Sequence, residues 1–322
     1  MFDGAQFAFH DLAPGEESFR DAILYGLSRP KKSIPCQFLY DDAGSALFEK
    51  ICTLPEYYPT RTEIGILGEN AAAIAAAIGA GARLIEFGSG ASTKARILLS
   101  ALEAPAAYVP VDISRAHLRQ SALSLAEDFP SVPVIAVCAD YTRPFRLPPI
   151  FGPPGKRVGF FPGSTIGNFE PDAAVEFLAN YARVLGRGGE LLIGVDLKKD
   201  TATLDAAYND RAGVTAAFNL NLLERINREL GAEVDLDDFE HFAFYNESEG
   251  RVEIFIRCLS AHTAMIAGHD FHFADGELIH TEYSYKYAIA EFQALAARAG
   301  FRPVHVWTER GALFSVHYLQ LG

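Results

Sequence analysis

Short apolar runs alternate with helix-like segments from about residue 60 onward, and this alternation limits the fold more than any other feature of the chain. The apolar runs lie at 83–87, 107–112, 132–138, 158–161 and 190–195. Helix-like segments at 62–78, 94–102 and 172–185, and one that follows Ser114, lie before and between them. Strands joined by helices of this length form parallel sheets with helices on both faces. The pattern predicts an α/β fold with a doubly wound parallel sheet.

Two regions interrupt this alternation. Residues 1–60 contain helix-like pieces and an aromatic loop, and residues 196–285 contain a helix at 203–230 followed by strands such as 251–257. A helix after residue 287 and strands at 302–307 and 313–319 continue the sheet. We therefore expect one domain made of 61–195 and 286–322. A second, α+β domain is expected from 1–60 and 196–285.

Composition and charge exclude several classes of partner. The formal net charge of −13 disfavours binding to nucleic acid or to an anionic membrane. No run of about 20 apolar residues predicts a membrane span, and the amino-terminal segment lacks the pattern of a signal peptide. The 4 cysteines form no CxxC pair, which indicates reduced thiols and no zinc site. We expect a cytoplasmic monomer that binds no metal.

A glycine turn and two acidic residues follow neighbouring strands of the predicted core. Gly88 and Gly90 end the first strand, where the lack of a Cβ allows close approach of a ligand. Asp112 and Asp140 end the next two strands, at the edge where such sheets bind ligands. Thr93 replaces the third glycine of GxGxxG, which favours S-adenosylmethionine over a dinucleotide. The alternative is a tight turn beside solvated acids.

A polar loop follows the fourth strand of the core. Gly163 and Asn168 bracket the sequence GSTIGN, whose hydroxyl, amide and backbone groups suit a polar substrate. Asn168 could instead only cap the helix that begins near Pro171.

Four longer motifs, at 54–63, 163–168, 208–219 and 281–284, together resemble one family, the histidine-specific Nα-methyltransferases of ergothioneine biosynthesis. The resemblance extends from about residue 17 to the carboxyl terminus. It implies a Rossmann-like methyltransferase core with an inserted α+β substrate-binding domain. It also implies three successive methyl transfers from S-adenosyl-L-methionine to L-histidine, which give the trimethyl betaine hercynine.

The resemblance implies a role for individual residues. Those matching the family's S-adenosylmethionine site are Gly88, Lys94, Asp112, Asp140 and Tyr141. Those matching the site for the amino-acid end of histidine are Tyr57, Asn168 and Tyr208, with Gly163 near the amine and Tyr40 and Phe48 as further pocket aromatics. Tyr40, Tyr57 and Asn168 are expected to act in catalysis, with Tyr40, Tyr57 or a water between them relaying the proton of the amine.

Glu282 and Ser284 match the pair that hydrogen-bonds the imidazole, and elementary chemistry supports this role. A neutral imidazole presents one donor and one acceptor, which a carboxylate and a hydroxyl can both satisfy. Residues two apart on a strand face the same side. The alternative is a solvated acid beside an ordinary strand serine. Ile254 departs from the methionine that the family can carry near the imidazole, and its β-branched side chain is stiffer. We therefore expect a ring pocket of different shape.

Three other functions remain open at this stage. An Nα-methyltransferase for another amino acid, such as tryptophan, would leave Glu282 against the carbon edge of an indole, where a buried carboxylate is poorly paired. A module that binds S-adenosylmethionine without turnover would not need the substrate motifs. A nicotinamide oxidoreductase is disfavoured by the short glycine turn.

Overall fold

The computed structural model describes residues 7–12, 18–90 and 92–322. Parts of the amino-terminal segment and Ala91 of the glycine turn lie outside these ranges. The chain divides into two compact units. The first comprises the described residues before 16 together with 62–197 and 287–322, and the second comprises the described residues of 16–61 together with 198–286.

The described strands are β1 (Phe7–Asp11), β2 (Arg83–Phe87), β3 (Ala107–Asp112), β4 (Val134–Cys138), β5 (Arg157–Phe161), β6 (Glu190–Asp196), β7 (Phe239–Asn246), β8 (Arg251–Cys258), β9 (His262–Ile266), β10 (His269–Phe273), β11 (Leu278–Tyr285), β12 (Phe301–Thr308) and β13 (Phe314–Leu321). The described α-helices are α1 (Phe19–Ser28), α2 (Asp42–Ile51), α3 (Tyr58–Glu69), α4 (Ala71–Ile78), α5 (Thr93–Ala101), α6 (Arg115–Asp128), α7 (Pro171–Leu185), α8 (Thr201–Tyr208), α9 (Val214–Leu230) and α10 (Ile289–Arg298). Short 3₁₀ segments lie at Cys36–Leu39, Thr165–Asn168 and Leu236–Asp238.

The first unit contains a sheet of eight strands in the order β1-β4-β3-β2-β5-β6-β13-β12. The neighbours from β1 to β6 are paired in parallel, and β13 runs antiparallel to both β6 and β12. Every residue of β4 and β6 is buried, as expected for parallel strands covered on both faces by helices. The predicted α/β fold with a large parallel sheet is confirmed.

The amino-terminal strand corrects the predicted division of the chain. Residues 1–60 were assigned to the second domain, but β1 pairs in parallel with β4, and the amide of Leu12 donates to the carbonyl of Cys138 over 3.0 Å. The run Phe7–Asp11 is short and stands apart from the later strands in sequence, so periodicity alone did not connect it to the sheet. The other boundaries lie within two residues of the predicted ones.

Two predicted helices are each broken into two. The first breaks at Asn70, whose backbone is not helical and whose side-chain amide donates to the carbonyl of Ile66 over 2.8 Å. The second breaks after Tyr208, where Gly213 has a φ of +72° and precedes α9. Asp210 accepts hydrogen bonds from the amides of Val214 and Thr215, at 2.9 and 2.8 Å, and thereby starts the new helix.

The second unit contains an antiparallel sheet in the order β11-β8-β7 and the hairpin formed by β9 and β10. Its core includes the fully buried side chains of Ile23, Leu222, Ile226, Ile256 and Ile279. No helix in the described part of the chain is long and apolar enough to cross a membrane.

Candidate functional site

The glycine turn after β2 brings three of the expected cofactor residues together. Gly88 has a φ of +70°, and a Cβ at this position would lie 3.1 Å from the hydroxyl oxygen of Tyr141. The amide of Gly90 lies 3.5 Å from Oδ2 of Asp112. A side chain at residue 88 would therefore fill the space between the turn and Tyr141. Glycine at residue 88 therefore allows the turn to pass close to Tyr141.

The two acids at the ends of β3 and β4 lie on adjacent strands, because Asp112 is paired with Cys138 in the register of the sheet. Oδ1 of Asp112 accepts from the amide of Ser114 over 2.9 Å, and burial raises the pKa of the Asp112 carboxyl. Asp140 accepts from the amide and hydroxyl of Thr142, at 3.0 and 2.6 Å. Both carboxylates are held by their own loops at one edge of the sheet.

Lys94 and Gly163 are linked by Glu63, which is not among the site residues expected from the sequence. Oε2 of this fully buried carboxylate accepts from Nζ of Lys94 over 2.5 Å and from the amide of Gly163 over 2.8 Å. Oε1 has no hydrogen-bond partner among the described residues. A Cβ at Gly194 would lie 2.0 Å from Oε1, so only glycine at this position of β6 leaves room for Glu63.

The sequence did contain a signal for Glu63. It stands three and four residues before the buried Ile66 and Leu67, on the apolar face of α3, where an acid is unusual. A second buried acid, Glu86, interrupts the apolar strand β2 and accepts a hydrogen bond from the hydroxyl of Tyr108. Burial raises the pKa of Glu86 to about 8.

Asn168 ends the 3₁₀ segment of the polar loop and is half-buried. The helix-capping alternative for this residue is wrong, because the residue that precedes α7 as its N-cap is Glu170. The loop is anchored at Ser164, whose Oγ accepts from the amide of Asp196 over 2.8 Å. Gly163 has a φ of +86°, which a side chain would strain.

Aromatic side chains of the second unit form a continuous cluster. The ring of Tyr40 lies 5.4 Å from those of both Phe48 and Phe218, and the ring of Tyr57 lies 6.4 Å from Phe48 and 6.1 Å from Tyr208. Burial raises the pKa of Tyr57 well above its ordinary value, and the neighbouring Tyr208 raises it further. Tyr57 is therefore a neutral phenol at physiological pH.

Three residues expected near the imidazole share one face of the small sheet. Glu282 and Ser284 stand two apart on β11, and Ile254 on β8 is directly opposite Glu282. Opposite residues of antiparallel strands project from the same face. Cys36 also lies near this group, since burial and then the charge of Glu282 raise the pKa of its thiol to about 12.

Ser284 belongs to a hydrogen-bonded triangle with Tyr208 and Lys286. Nζ of Lys286 donates to Oγ of Ser284 over 2.7 Å and to Oη of Tyr208 over 2.8 Å, and the two hydroxyl oxygens lie 2.8 Å apart. Lys286 is only 1% exposed and is not among the site residues expected from the sequence. The sequence indicates Lys286 through its spacing, because residues 282, 284 and 286 are each two apart and would face the same side of an extended strand.

The backbone of Tyr208 is held by a buried histidine. Nε2–H of His241 donates to the carbonyl of Tyr208 over 2.8 Å, so its Nδ1 accepts from the side-chain amide of Asn219 over 3.0 Å. Burial lowers the pKa of His241, which keeps the ring neutral. Asn219 also donates to the carbonyl of Phe255 over 2.9 Å, which ties α9 to β8.

Comparison with known proteins identifies relatives over nearly the whole chain. A histidine N-alpha-methyltransferase of Mycolicibacterium smegmatis is 42% identical over 306 residues, 93% of this chain and 94% of that protein. A histidine N-alpha-methyltransferase of Mycobacterium tuberculosis is 38% identical over 307 residues, 94% of each chain. Ergothioneine biosynthesis protein 1 of Neurospora crassa is 33% identical over 310 residues, which are 92% of this chain and 34% of that longer protein.

The model of one protein family, described as histidine-specific, S-adenosylmethionine-dependent methyltransferases, matches residues 19–321. This match includes every residue of the candidate site and both units apart from the amino-terminal strand β1. The chain therefore belongs to the family of S-adenosylmethionine-dependent, histidine-specific methyltransferases.

Proposed function

We propose that this member of the family transfers three methyl groups in succession from S-adenosylmethionine to the α-amino nitrogen of L-histidine, and that the product, hercynine, serves ergothioneine biosynthesis. The enzyme class, the methyl donor and histidine as acceptor follow from the family. The structural observation that carries the assignment is the face of the small sheet on which Ile254, Glu282 and Ser284 stand together.

The first unit fits the methyl donor. Gly88 and Tyr141 lie close together at the turn, and Asp112 borders the same turn as an acceptor for ribose hydroxyls. Asp140 is the proposed partner of the adenine amino group, and Lys94 that of a carboxylate. The side chain of Lys94 remains 17% exposed although its ammonium is paired with Glu63. S-adenosylmethionine supplies a methyl group on a sulfonium, whose departure leaves a neutral thioether and needs no acid.

The amino-acid end of histidine is proposed to contact Tyr57, Asn168 and Tyr208, with the loop at Gly163 near the amine. Their main contribution is positioning of the amine for in-line attack on the methyl carbon. The amine must first lose a proton. Tyr57 is not the base, because its raised pKa keeps it protonated. We propose that Tyr40, Tyr57 or a water between them passes the proton on to bulk water by exchange of hydroxyl hydrogens, since Tyr40 is exposed to solvent.

The imidazole end is proposed to bind Glu282 and Ser284, with Ile254 against the ring. An indole would place carbon atoms against the Glu282 carboxylate and leave that group poorly paired, which favours histidine over tryptophan. We propose that the protein acts on this small molecule as a cytoplasmic monomer.

Incubation with each of the twenty amino acids and labelled S-adenosylmethionine, followed by mass spectrometry, tests the proposal. The expected result is histidine carrying one, two and three methyl groups, with the trimethylated form accumulating. Methylation of tryptophan in preference to histidine would contradict the substrate assignment. Binding of S-adenosylhomocysteine without methylation of any amino acid would instead indicate a module without turnover.

A further inference from the structure

The triangle of Tyr208, Ser284 and Lys286 determines the direction of its own hydrogen bonds. A lysine ammonium has three donors and no acceptor. Because Lys286 Nζ lies 2.8 Å from Tyr208 Oη and 2.7 Å from Ser284 Oγ, both hydroxyl oxygens accept from it. Ser284 and Lys286 are 5% and 1% exposed, so bulk water does not compete freely for these bonds.

The two hydroxyl protons have different positions as a result. One of them lies in the bond between Tyr208 and Ser284, whose oxygens are 2.8 Å apart. The other must point away from the triangle. A phenol, with an ordinary pKa of about 10, is a stronger acid than the serine hydroxyl, so Tyr208 donates to Ser284. The proton of Ser284 is then directed outward, and Ser284 meets a ligand as a donor. Glu282, on the same face of β11, is an acceptor when ionised.

We propose that Lys286 is a positioning residue that makes Ser284 and Glu282 select the neutral imidazole of histidine. The ring's N–H then faces Glu282 and its lone pair faces Ser284. An imidazolium carries an N–H on both nitrogens and would place one of them against the outward proton of Ser284. This inference rests on the proposed function, because it takes Glu282 and Ser284 as the partners of the ring.

Cys36 and Tyr57, two titratable groups beside the proposed ring site, keep their protons near neutral pH. The titratable groups that face Glu282 or Tyr57 are Cys36, Tyr57, Tyr208, Tyr40 and Cys52. Burial raises the pKa of Cys36 to about 12 and that of Tyr57 well above its usual range, so neither group ionises between pH 5.5 and about 7.5. Burial lowers the pKa of His280, also on β11, to about 4. Burial also lowers the pKa of His241, which holds the carbonyl of Tyr208. The ring of free histidine, with an ordinary pKa of about 6.5, changes charge within this range.

Calorimetric titration of histidine into protein saturated with S-adenosylhomocysteine, at about pH 5.5 and 7.5, tests the inference. With a ring pKa of about 6.5, only about one tenth of free histidine is neutral at the lower pH. The parent should therefore bind about tenfold more weakly there. Lys286→Met removes the donors, and Lys286→Gln adds an acceptor, so the hydroxyls can reverse and accept from an imidazolium. Both variants should bind histidine more weakly than the parent does at pH 7.5. Their affinity for histidine should fall by less than about threefold between pH 7.5 and 5.5.

Lys32→Met is the matched control, because Lys32 is a partly buried lysine of the same unit that pairs with Glu277. It should retain the tenfold pH dependence of histidine affinity that the parent shows.

A tenfold dependence retained in both Lys286 variants would overturn the inference and leave Lys286 with a purely structural role. A parent that binds histidine equally well at both pH values would overturn it too. A parent that does not bind histidine at pH 7.5 would refute the proposed function itself. If Lys286→Met does not fold, which circular dichroism would show, Lys286→Gln alone decides.

Discussion

At the scale of single residues, the buried acid Glu86 is expected to make the stability of the protein depend on pH. Burial raises the pKa of Glu86 to about 8, while an unfolded chain has an ordinary glutamate near 4.5. The folded state therefore keeps a proton that the unfolded state releases, and the free energy of unfolding falls as the pH rises from about 4.5 to 8.

Glu86→Gln stays neutral and can still accept from Tyr108. We expect the ligand-free variant to exceed the parent in stability by a few kcal/mol at pH 8.5, at about 1.4 kcal/mol per pKa unit, and by much less near pH 5. Urea unfolding at both pH values measures this, and parallel pH dependences of parent and variant would contradict it.

Asp112, a second single residue, is expected to contribute to cofactor affinity. Asp112→Ala should weaken binding of S-adenosylhomocysteine by about 1.5–3 kcal/mol, because a carboxylate that accepts from ribose hydroxyls makes charge-assisted hydrogen bonds. Calorimetry on the isolated protein measures the change. Asp128→Ala, which removes an exposed acid at the end of α6, is the matched control and should keep the affinity of the parent. An unchanged affinity in Asp112→Ala would remove Asp112 from the cofactor site.

At the scale of elements, one face of the sheet formed by β7, β8 and β11 is proposed to determine the substrate. A pocket that pairs both imidazole nitrogens should reject rings without them by about 10⁴-fold, whereas shape alone discriminates by about 10–200-fold. Glu282→Ala should therefore lower kcat/KM for histidine and narrow its ratio to that for tryptophan. Glu240→Ala, which removes an acid that pairs with Arg257 on the same sheet, should leave the ratio unchanged. If Glu282→Ala has the same ratio of kcat/KM for histidine to kcat/KM for tryptophan as the parent, Glu282 does not contact the imidazole.

At the scale of the whole molecule, the amino-terminal strand β1 extends the main sheet of the first unit. Without residues 1–11, β4 would become an edge strand, and Phe7 and Phe9 would no longer pack against the core. The shortened protein should lose about 3 kcal/mol or more, comparable to the loss of one buried aromatic side chain, and its Tm should fall. Its affinity for S-adenosylhomocysteine should persist, because Gly88 follows β2 and Asp112 ends β3, whereas β1 pairs with β4. Thermal unfolding and calorimetry test both parts, and an unchanged Tm would show that β1 does not stabilise the sheet.

The sequence by itself determined the features that local periodicity and motifs carry. Alternating apolar runs predicted the parallel sheet, four motifs indicated the family, and the period of two placed Glu282 and Ser284 on one face. Tertiary structure alone decided that Glu63 joins Lys94 to Gly163, which is 100 residues away, and that Lys286 meets Tyr208 across 78 residues. It also decided that β1 joins the main sheet and that two long helices break. The physical reason is that a sequence pattern reports which face of an element is buried, whereas the partner of a buried polar group depends on which distant segment packs against it.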